Sequence, residues 1–214
     1  MRYLIVCGGK IDKEFGLNEI KTDGIDAIIA ADSGMDFLYE NGVTPDIIVG
    51  DFDSATTKAL EYFERKGQTE IHRLNPIKDD TDTEYAIRLA IREGARSIVV
   101  LGATGSRIDH VLGNISLLGI GLESGTDISI IDTNNRIRMA DKPVTIEKSA
   151  QYGRFVSLIA VTDDNEVSLK GFKYPVTDYS FDRFTSLGIS NEIVDDHALI
   201  DIHRGKFIII ESKD

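Results

Sequence analysis

The residues best suited to chemistry in this chain are aspartates grouped in four short motifs. These are AADSG (Ala30 to Gly34), GDFDS (Gly50 to Ser54), KDDTDT (Lys78 to Thr83) and GATGSRIDH (Gly102 to His110). The first, second and fourth end strand-like apolar runs, DAIIAAD, DIIVGD and SIVVLGA; the third follows TEIHRL after a short loop. In an open α/β sheet, residues just past the strand C-termini line the ligand crevice. The motifs would therefore gather Asp32, Asp51, Asp53, Asp79, Asp80, Asp82 and Asp109 in one place. Carboxylates so crowded need a counter-charge. An oxygen-rich site suits Mg²⁺, which keeps waters and usually arrives with phosphates. A nucleoside triphosphate is the expected ligand.

Each motif alone has a competing explanation, because Asp, Ser and Thr also cap helices. Asp32 or Ser33 would cap the helix after the second strand, and Asp53 or Ser54 the one after the third. Thr81 and Glu84 fit a capping box. Capping does not account for Asp51 beside a glycine, nor for the run Asp79, Asp80, Asp82. In an extended turn Asp51 and Asp53 would share one face. In the fourth motif Gly102 and Gly105 allow close backbone approach to a ligand. Arg107 there supplies a planar fork suited to phosphate. His110 is expected to be structural or on the helix surface rather than a general base. Four such motifs in order at successive strand ends exceed what capping alone predicts.

The elements that must position them alternate. Strand-like YLIVCGG, DAIIAAD, DIIVGD, TEIHRL, SIVVLGA and ISIID are separated by a polar, irregular stretch at 11–24 and by helical patterns through Met35–Tyr39, 54–66, 81–93 and 109–123. This predicts crossover connections and a mostly parallel α/β sheet in residues 1–133. From there the pattern becomes short alternating runs, NRIRMA, VTIEKS, FVSLIAV, EVSLKG and KFIIIE, with turn residues between them. Residues 134–214 are expected to form a small antiparallel β-sandwich.

The net charge of −12 argues against a nucleic-acid partner, which needs Lys and Arg at its phosphates. One cysteine, Cys7, excludes an intramolecular disulfide and reads as a small core residue. No apolar run has the ~18 residues of a membrane span, and no cleavable leader is evident. A cytoplasmic location is expected. Neither a P-loop signature nor a GxGxxG after the first strand is present.

Taken in order, AADSG, PDIIVGDFDS, KDDTDT and GATGSRIDH resemble the signature of thiamine pyrophosphokinases, and TSLGISNE (Thr185 to Glu192) resembles the thiamine-side motif of the bacterial members. The resemblance implies transfer of the pyrophosphoryl group of ATP to the hydroxyethyl oxygen of thiamine, giving thiamine diphosphate and AMP. It also implies an α/β domain, a β-sandwich domain, Mg²⁺ and a homodimer whose active sites join two chains. Residue by residue, it implies catalytic roles for Asp53, Asp82 and Arg107, and metal ligation by Asp51, Asp53 and Asp82. Substrate contacts fall to Asp32, Thr81, Asp109, Ser190 and Asn191, with Asp109 at the aminopyrimidine of thiamine. Asp79 and Asp80 match no role, and the chain has no Trp to stack on thiamine. Two other readings are a pyrophosphokinase of the same build acting on another alcohol, such as a hydroxymethyl-pterin, and a thiamine or nucleotide sensor without turnover. TSLGISNE separates the first from thiamine chemistry, and the full acidic set argues against the second.

Overall fold

The computed structural model describes residues 1–52, 57–75, 77 and 80–214. Asp53 and Asp79 of the expected site lie outside the described residues. The chain forms two compact units, Met1–Thr133 and Asn134–Asp214.

In the first unit the strands are β1 (Arg2–Val6), β2 (Ala27–Ala31), β3 (Ile47–Gly50), β4 (Glu70–Arg73), β5 (Ser97–Leu101) and β6 (Asp127–Ile131). All pair in parallel, in the order β6-β5-β1-β2-β3-β4. The helices are α1 (Lys13–Ile20), α2 (Gly34–Glu40), α3 (Thr57–Lys66), α4 (Asp82–Arg92) and α5 (Ile108–Ser124). The central strands are apolar without alternation because they are covered on both faces: Leu4, Ile5, Val6, Ile29, Ala30, Ile48, Val49, Val100 and Leu101 are all buried. From β1 the chain runs outward through β2, β3 and β4, then returns to place β5 on the other side of β1. That reversal is a topological switch point, where open α/β sheets bind ligands beyond the strand C-termini.

Helix α1 corrects the expectation of an irregular stretch at 11–24. Asp12 caps it, accepting from the Phe15 N–H at 2.9 Å. Gly16 hid the helix in the sequence. It sits mid-helix because a Cβ there would come 2.7 Å from both the Phe37 ring and Ile11, so close packing overrides glycine's low helix propensity.

In the second unit the strands are β7 (Asn135–Ala140), β8 (Val144–Glu147), β9 (Phe155–Ala160), β10 (Glu166–Lys170), β11 (Val176–Ser180), β12 (Asn191–Glu192), β13 (His197–Arg204) and β14 (Phe207–Ser212). They form two antiparallel sheets, β12-β9-β14-β7 and β11-β10-β13-β8. The inner residues, among them Val156, Leu158, Val167, Leu169, Ile200, Phe207 and Ile209, make one core. Sequence reading passed over β11, the two-residue β12 and β13, although β13 alternates cleanly through Ala198, Ile200 and Ile202. The one buried carboxylate in the unit, Glu211 on β14, is met by Arg136 and Arg138 of β7. No helix among the described residues is long and apolar enough to cross a membrane.

Candidate functional site

The chain reaches the switch point through three aspartates. Asp32 follows β2 in a left-handed conformation (φ 48°), and its N–H donates to the Val49 carbonyl at 2.7 Å. Asp51 follows β3. Asp82 opens α4, whose cap is Thr81: its hydroxyl accepts from the Glu84 N–H at 3.2 Å. One oxygen from each of Asp32, Asp51 and Asp82 lies within 4.8 Å of the other two, and all three residues are half-buried.

Capping is borne out at Thr81, does not account for Asp32 or Asp82, and cannot be followed at Asp53 and Ser54, which lie outside the described residues. The cap position of α2 is Ser33, not Asp32, and the capping side chain of α4 is Thr81, not Asp82. Glu84 engages Arg88 one turn on, Nε to Oε1 at 2.9 Å. At separations of 4.8 Å or less, each pair of charges repels by roughly 3 kcal/mol at an effective dielectric of ~20. Neither a capping bond nor the helix dipole offsets that. Three converging carboxylate oxygens do fit a hard divalent cation. Phe52 after Asp51 is left-handed (φ 63°), so the extended strand conformation ends there; the expected common face of Asp51 and Asp53 involves a residue outside the described ones.

Beside the aspartates, a cavity of about 520 Å³ opens at the C-terminal ends of β1 and β5. That is a usual size for a small-molecule site. Gly8, Gly9 and Lys10 line one side, Gly102 to Arg107 another, with Asp32, Asp82, His110 and Asn114 completing the wall. The two glycine segments are bound to each other: Gly9 N–H donates to Gly102 O at 2.9 Å. A Cβ on Gly9 would fall 2.2 Å from Gly102 O. Side chains pin the loop after β5, with Asn114 Nδ2 on Ala103 O at 2.8 Å and Thr104 Oγ1 on Asp132 Oδ2 at 2.9 Å. Burial pushes the Cys7 thiol up to about 11, so it is a protonated wall group 3.4 Å from the Thr83 hydroxyl.

Arg107 and Asp109 face each other as a fork, Nε to Oδ1 at 3.2 Å and Nη2 to Oδ2 at 2.6 Å. The guanidinium holds the Asp109 carboxyl at about 2. Both side chains are exposed. A phosphate reaching Arg107 would therefore compete with Asp109 for the same fork.

Ser190 and Asn191 belong to the second unit. Ser190 is exposed and left-handed (φ 60°), with its N–H on Ser157 Oγ at 3.0 Å. Asn191 is buried, and both ends of its amide hold the Tyr174 backbone: Nδ2 donates to Tyr174 O at 2.9 Å, and Oδ1 accepts from Tyr174 N–H at 3.0 Å. Its amide ties the motif to the sandwich. The described geometry thus brings Asp32, Asp51, Thr81, Asp82 and Arg107 to one end of the parallel sheet. Sequence reading missed Lys10, His110 and Asn114 as wall residues. The glycine pair before Lys10, read only as a strand end, was the available signal.

The thiamin pyrophosphokinase catalytic-domain model matches residues 21–130, and the thiamin pyrophosphokinase vitamin B1 binding domain model matches residues 143–207. The thiamine pyrophosphokinase of Bacillus subtilis (strain 168) is 35% identical over 188 residues, 87% of each chain. The crystal structure of a Bacillus subtilis thiamine pyrophosphokinase superposes with a TM-score of 0.89 at 31% identity, covering 100% of both chains. That of the Geobacillus thermodenitrificans thiamin pyrophosphokinase gives 0.87 at 30%, over 100% of this chain and 98% of the other. With two domain models in sequence order, a relative aligned over most of both chains and the same fold end to end, this chain belongs to the thiamin pyrophosphokinase family.

Proposed function

We propose that this chain carries out its family's reaction, transferring the pyrophosphoryl group of ATP to thiamine to give thiamine diphosphate and AMP, with Asp32, Asp51 and Asp82 as the seat of its divalent metal. The convergence of these three carboxylates, two of which (Asp32 and Asp82) line the switch-point cavity, is the observation that carries the residue assignment. Mg²⁺ is the ion favoured by all-oxygen ligation next to phosphates, and it supplies charge neutralisation to the triphosphate. Asp53, two residues beyond Asp51, joins this set by its place in the motif.

The chain's own groups then position the reactants, as in-line phosphoryl transfer needs orientation and charge stabilisation more than covalent help. The glycine backbones after β1 and β5 allow the triphosphate to approach closely. Arg107 turns its fork toward the β-phosphoryl oxygens as AMP leaves. Asp109 meets the aminopyrimidine of the cationic thiamine, and Thr81 keeps Asp82 at the start of α4.

We further propose a cytoplasmic homodimer in which the Thr185–Glu192 segment of one chain completes the site of its partner. Phe184 beside that motif and Leu187 and Ile189 within it are exposed, as are Ile108 and Leu112 at the start of α5. Surfaces of this kind suit a closed two-fold assembly. AMP release from ATP in the presence of Mg²⁺ and thiamine tests the reaction. Release with a hydroxymethyl-pterin instead would move the substrate, and ligand binding without AMP would make the chain a sensor. For the shared site, chains carrying Asp82→Ala are paired with chains carrying Ser190→Ala and Leu187→Asp. A verified mixed dimer that recovers turnover supports sharing, and one that stays inactive rejects it.

A further inference from the structure

Phe52 stands between two acidic positions of GDFDS and has no chemistry of its own, yet its backbone is left-handed at φ 63°. For a bulky residue with a Cβ this is a rare and costly conformation, which persists only where its surroundings impose it. Three contacts do so. The ring occupies the space left by Gly50: a Cβ on Gly50 would lie 3.1 Å from Phe52 Cε1 and 3.2 Å from the Cα of Asp32. The Arg73 guanidinium covers the ring at 5.4 Å from its centroid, and Arg73 is the register partner of Gly50 on β4. The ring also packs on the apolar core of the unit.

The strained residue thus sits at the point where β3 delivers Asp51 toward Asp32 and Asp82. We propose that Phe52 is a positioning residue for the metal site: its left-handed backbone, anchored by Gly50 and Arg73, turns the chain after β3 so that the Asp51 carboxylate joins those of Asp32 and Asp82. The inference rests on the metal reading above and adds a residue to it. With the ring held by Gly50, Arg73 and the core, an ordinary φ at position 52 would have to be taken up on its N-terminal side, carrying Asp51 off the cluster without removing any ligand.

The test separates backbone conformation from ring packing. Asn enters the left-handed region readily but lacks the ring, whereas the β-branched Val strongly resists that region. Mn²⁺ alone is the probe, titrated against the full chain and followed by the paramagnetic signal of the free ion. Phe52→Asn is expected to bind Mn²⁺ within about threefold of the unsubstituted chain, and Phe52→Val about tenfold or more weakly, the scale set by an imposed backbone strain. Thermal melting of each variant reports folding. If Val fails to fold, Phe52→Leu replaces it, since Leu keeps apolar bulk while still disfavouring the left-handed region. Equal Mn²⁺ affinity of the Asn variant and the Val or Leu variant overturns the inference. Asn binding more weakly than Leu overturns it as well, because the ring's packing would then be what matters. A chain that binds no Mn²⁺, or binds it equally after Asp51→Asn, overturns the metal reading and this inference with it.

Discussion

The carboxylate of Glu211 in the second unit and those of Asp32, Asp51 and Asp82 in the first are handled in opposite ways. Glu211 is fully buried and accepts from Arg136 Nε at 2.9 Å, Arg136 Nη2 at 2.8 Å, Arg138 Nη2 at 3.1 Å and the Tyr152 N–H at 2.9 Å. Its charge is answered inside its own unit, largely by the neighbouring strand. The three aspartates are instead gathered on one another at the open end of a parallel sheet. A carboxylate that arrives with its own guanidinium groups holds the fold, whereas carboxylates brought together against their mutual repulsion mark a site. Burial alone does not distinguish the two, and sequence position alone does not either.

The largest effect should come from breaking the structural group. Glu211→Gln keeps the shape but leaves two half-buried guanidinium groups facing a neutral, buried amide. Losing one partner of such a buried ionic cluster costs about 3–5 kcal/mol. Urea unfolding should show that loss, and the second unit should lose its near-ultraviolet signal first. A change under about 1 kcal/mol would mean that Glu211 is not held by charge, contrary to typical buried pairs.

Asp82→Asn should do the reverse. Turnover is expected to fall about 10²–10³-fold, the scale for losing a well-placed electrostatic group in phosphoryl or acyl chemistry. Stability in a chelator should stay level or rise. Each like-charge pair relieved is worth up to roughly 3 kcal/mol at close range, against about 0.3–1 kcal/mol lost from an acidic first turn. With excess Mg²⁺ the sign should invert, because only the unsubstituted chain is stabilised by binding the ion. Melting curves with and without Mg²⁺ check this. An Asp82→Asn chain less stable than its parent in chelator would place Asp82 with Glu211 as a structural carboxylate.

The sequence carried much of this contrast, but unevenly. The strand-end aspartates were legible because parallel strands read as continuous apolar runs, so the motif after each run has a known place in the sheet. Glu211 was not. In KFIIIES the unbroken apolar run hides the alternation that puts Glu211 in phase with Phe207 and Ile209, and its arginine partners lie more than 70 positions away in sequence. Helix α1 was hidden by Gly16, whose reason is the Phe37 ring across the packing interface. Asn191 was legible as part of a motif, while its bond to Tyr174 was not, since a side-chain tie to backbone leaves no periodic trace. The left-handed turn at Phe52 was equally invisible, because nothing local in GDFDS asks for a positive φ.

A smaller effect concerns Cys7, a third kind of buried group, a neutral thiol whose partner is the Thr83 hydroxyl rather than a charge. Burial raises its thiol from 9.0 to about 11. The folded chain keeps this proton where the unfolded chain loses it. Its contribution is therefore complete below pH 9 and is lost as pH rises toward 11, by on the order of 2–3 kcal/mol. The stability difference between the parent chain and Cys7→Ala should shift against the parent over that window. Alkylation at pH 7.5 should require unfolding. Rapid alkylation of the folded chain would show that Cys7 is not sealed in the cavity wall.

The smallest structural effect is expected at the exposed pair Arg107–Asp109, which resembles the Glu211 cluster in geometry but not in burial. Arg107 holds the Asp109 carboxyl at about 2, below its usual range. A lowered folded value gives stability that is present above the unfolded carboxylate pKa and lost as pH falls through about 2. Between pH 5 and pH 8 the group is ionised in both states, so that contribution does not vary. Solvent screening keeps it small for an exposed pair. Asp109→Ala should therefore leave the melting temperature unresolved from the parent throughout that range. It should still weaken thiamine binding more than ATP binding, if Asp109 meets the aminopyrimidine as proposed. Calorimetric titration of each ligand decides the matter. A loss confined to ATP would mean that the fork matters only through Arg107, and a clear drop in melting temperature would place this pair with Glu211 among the groups that hold the fold.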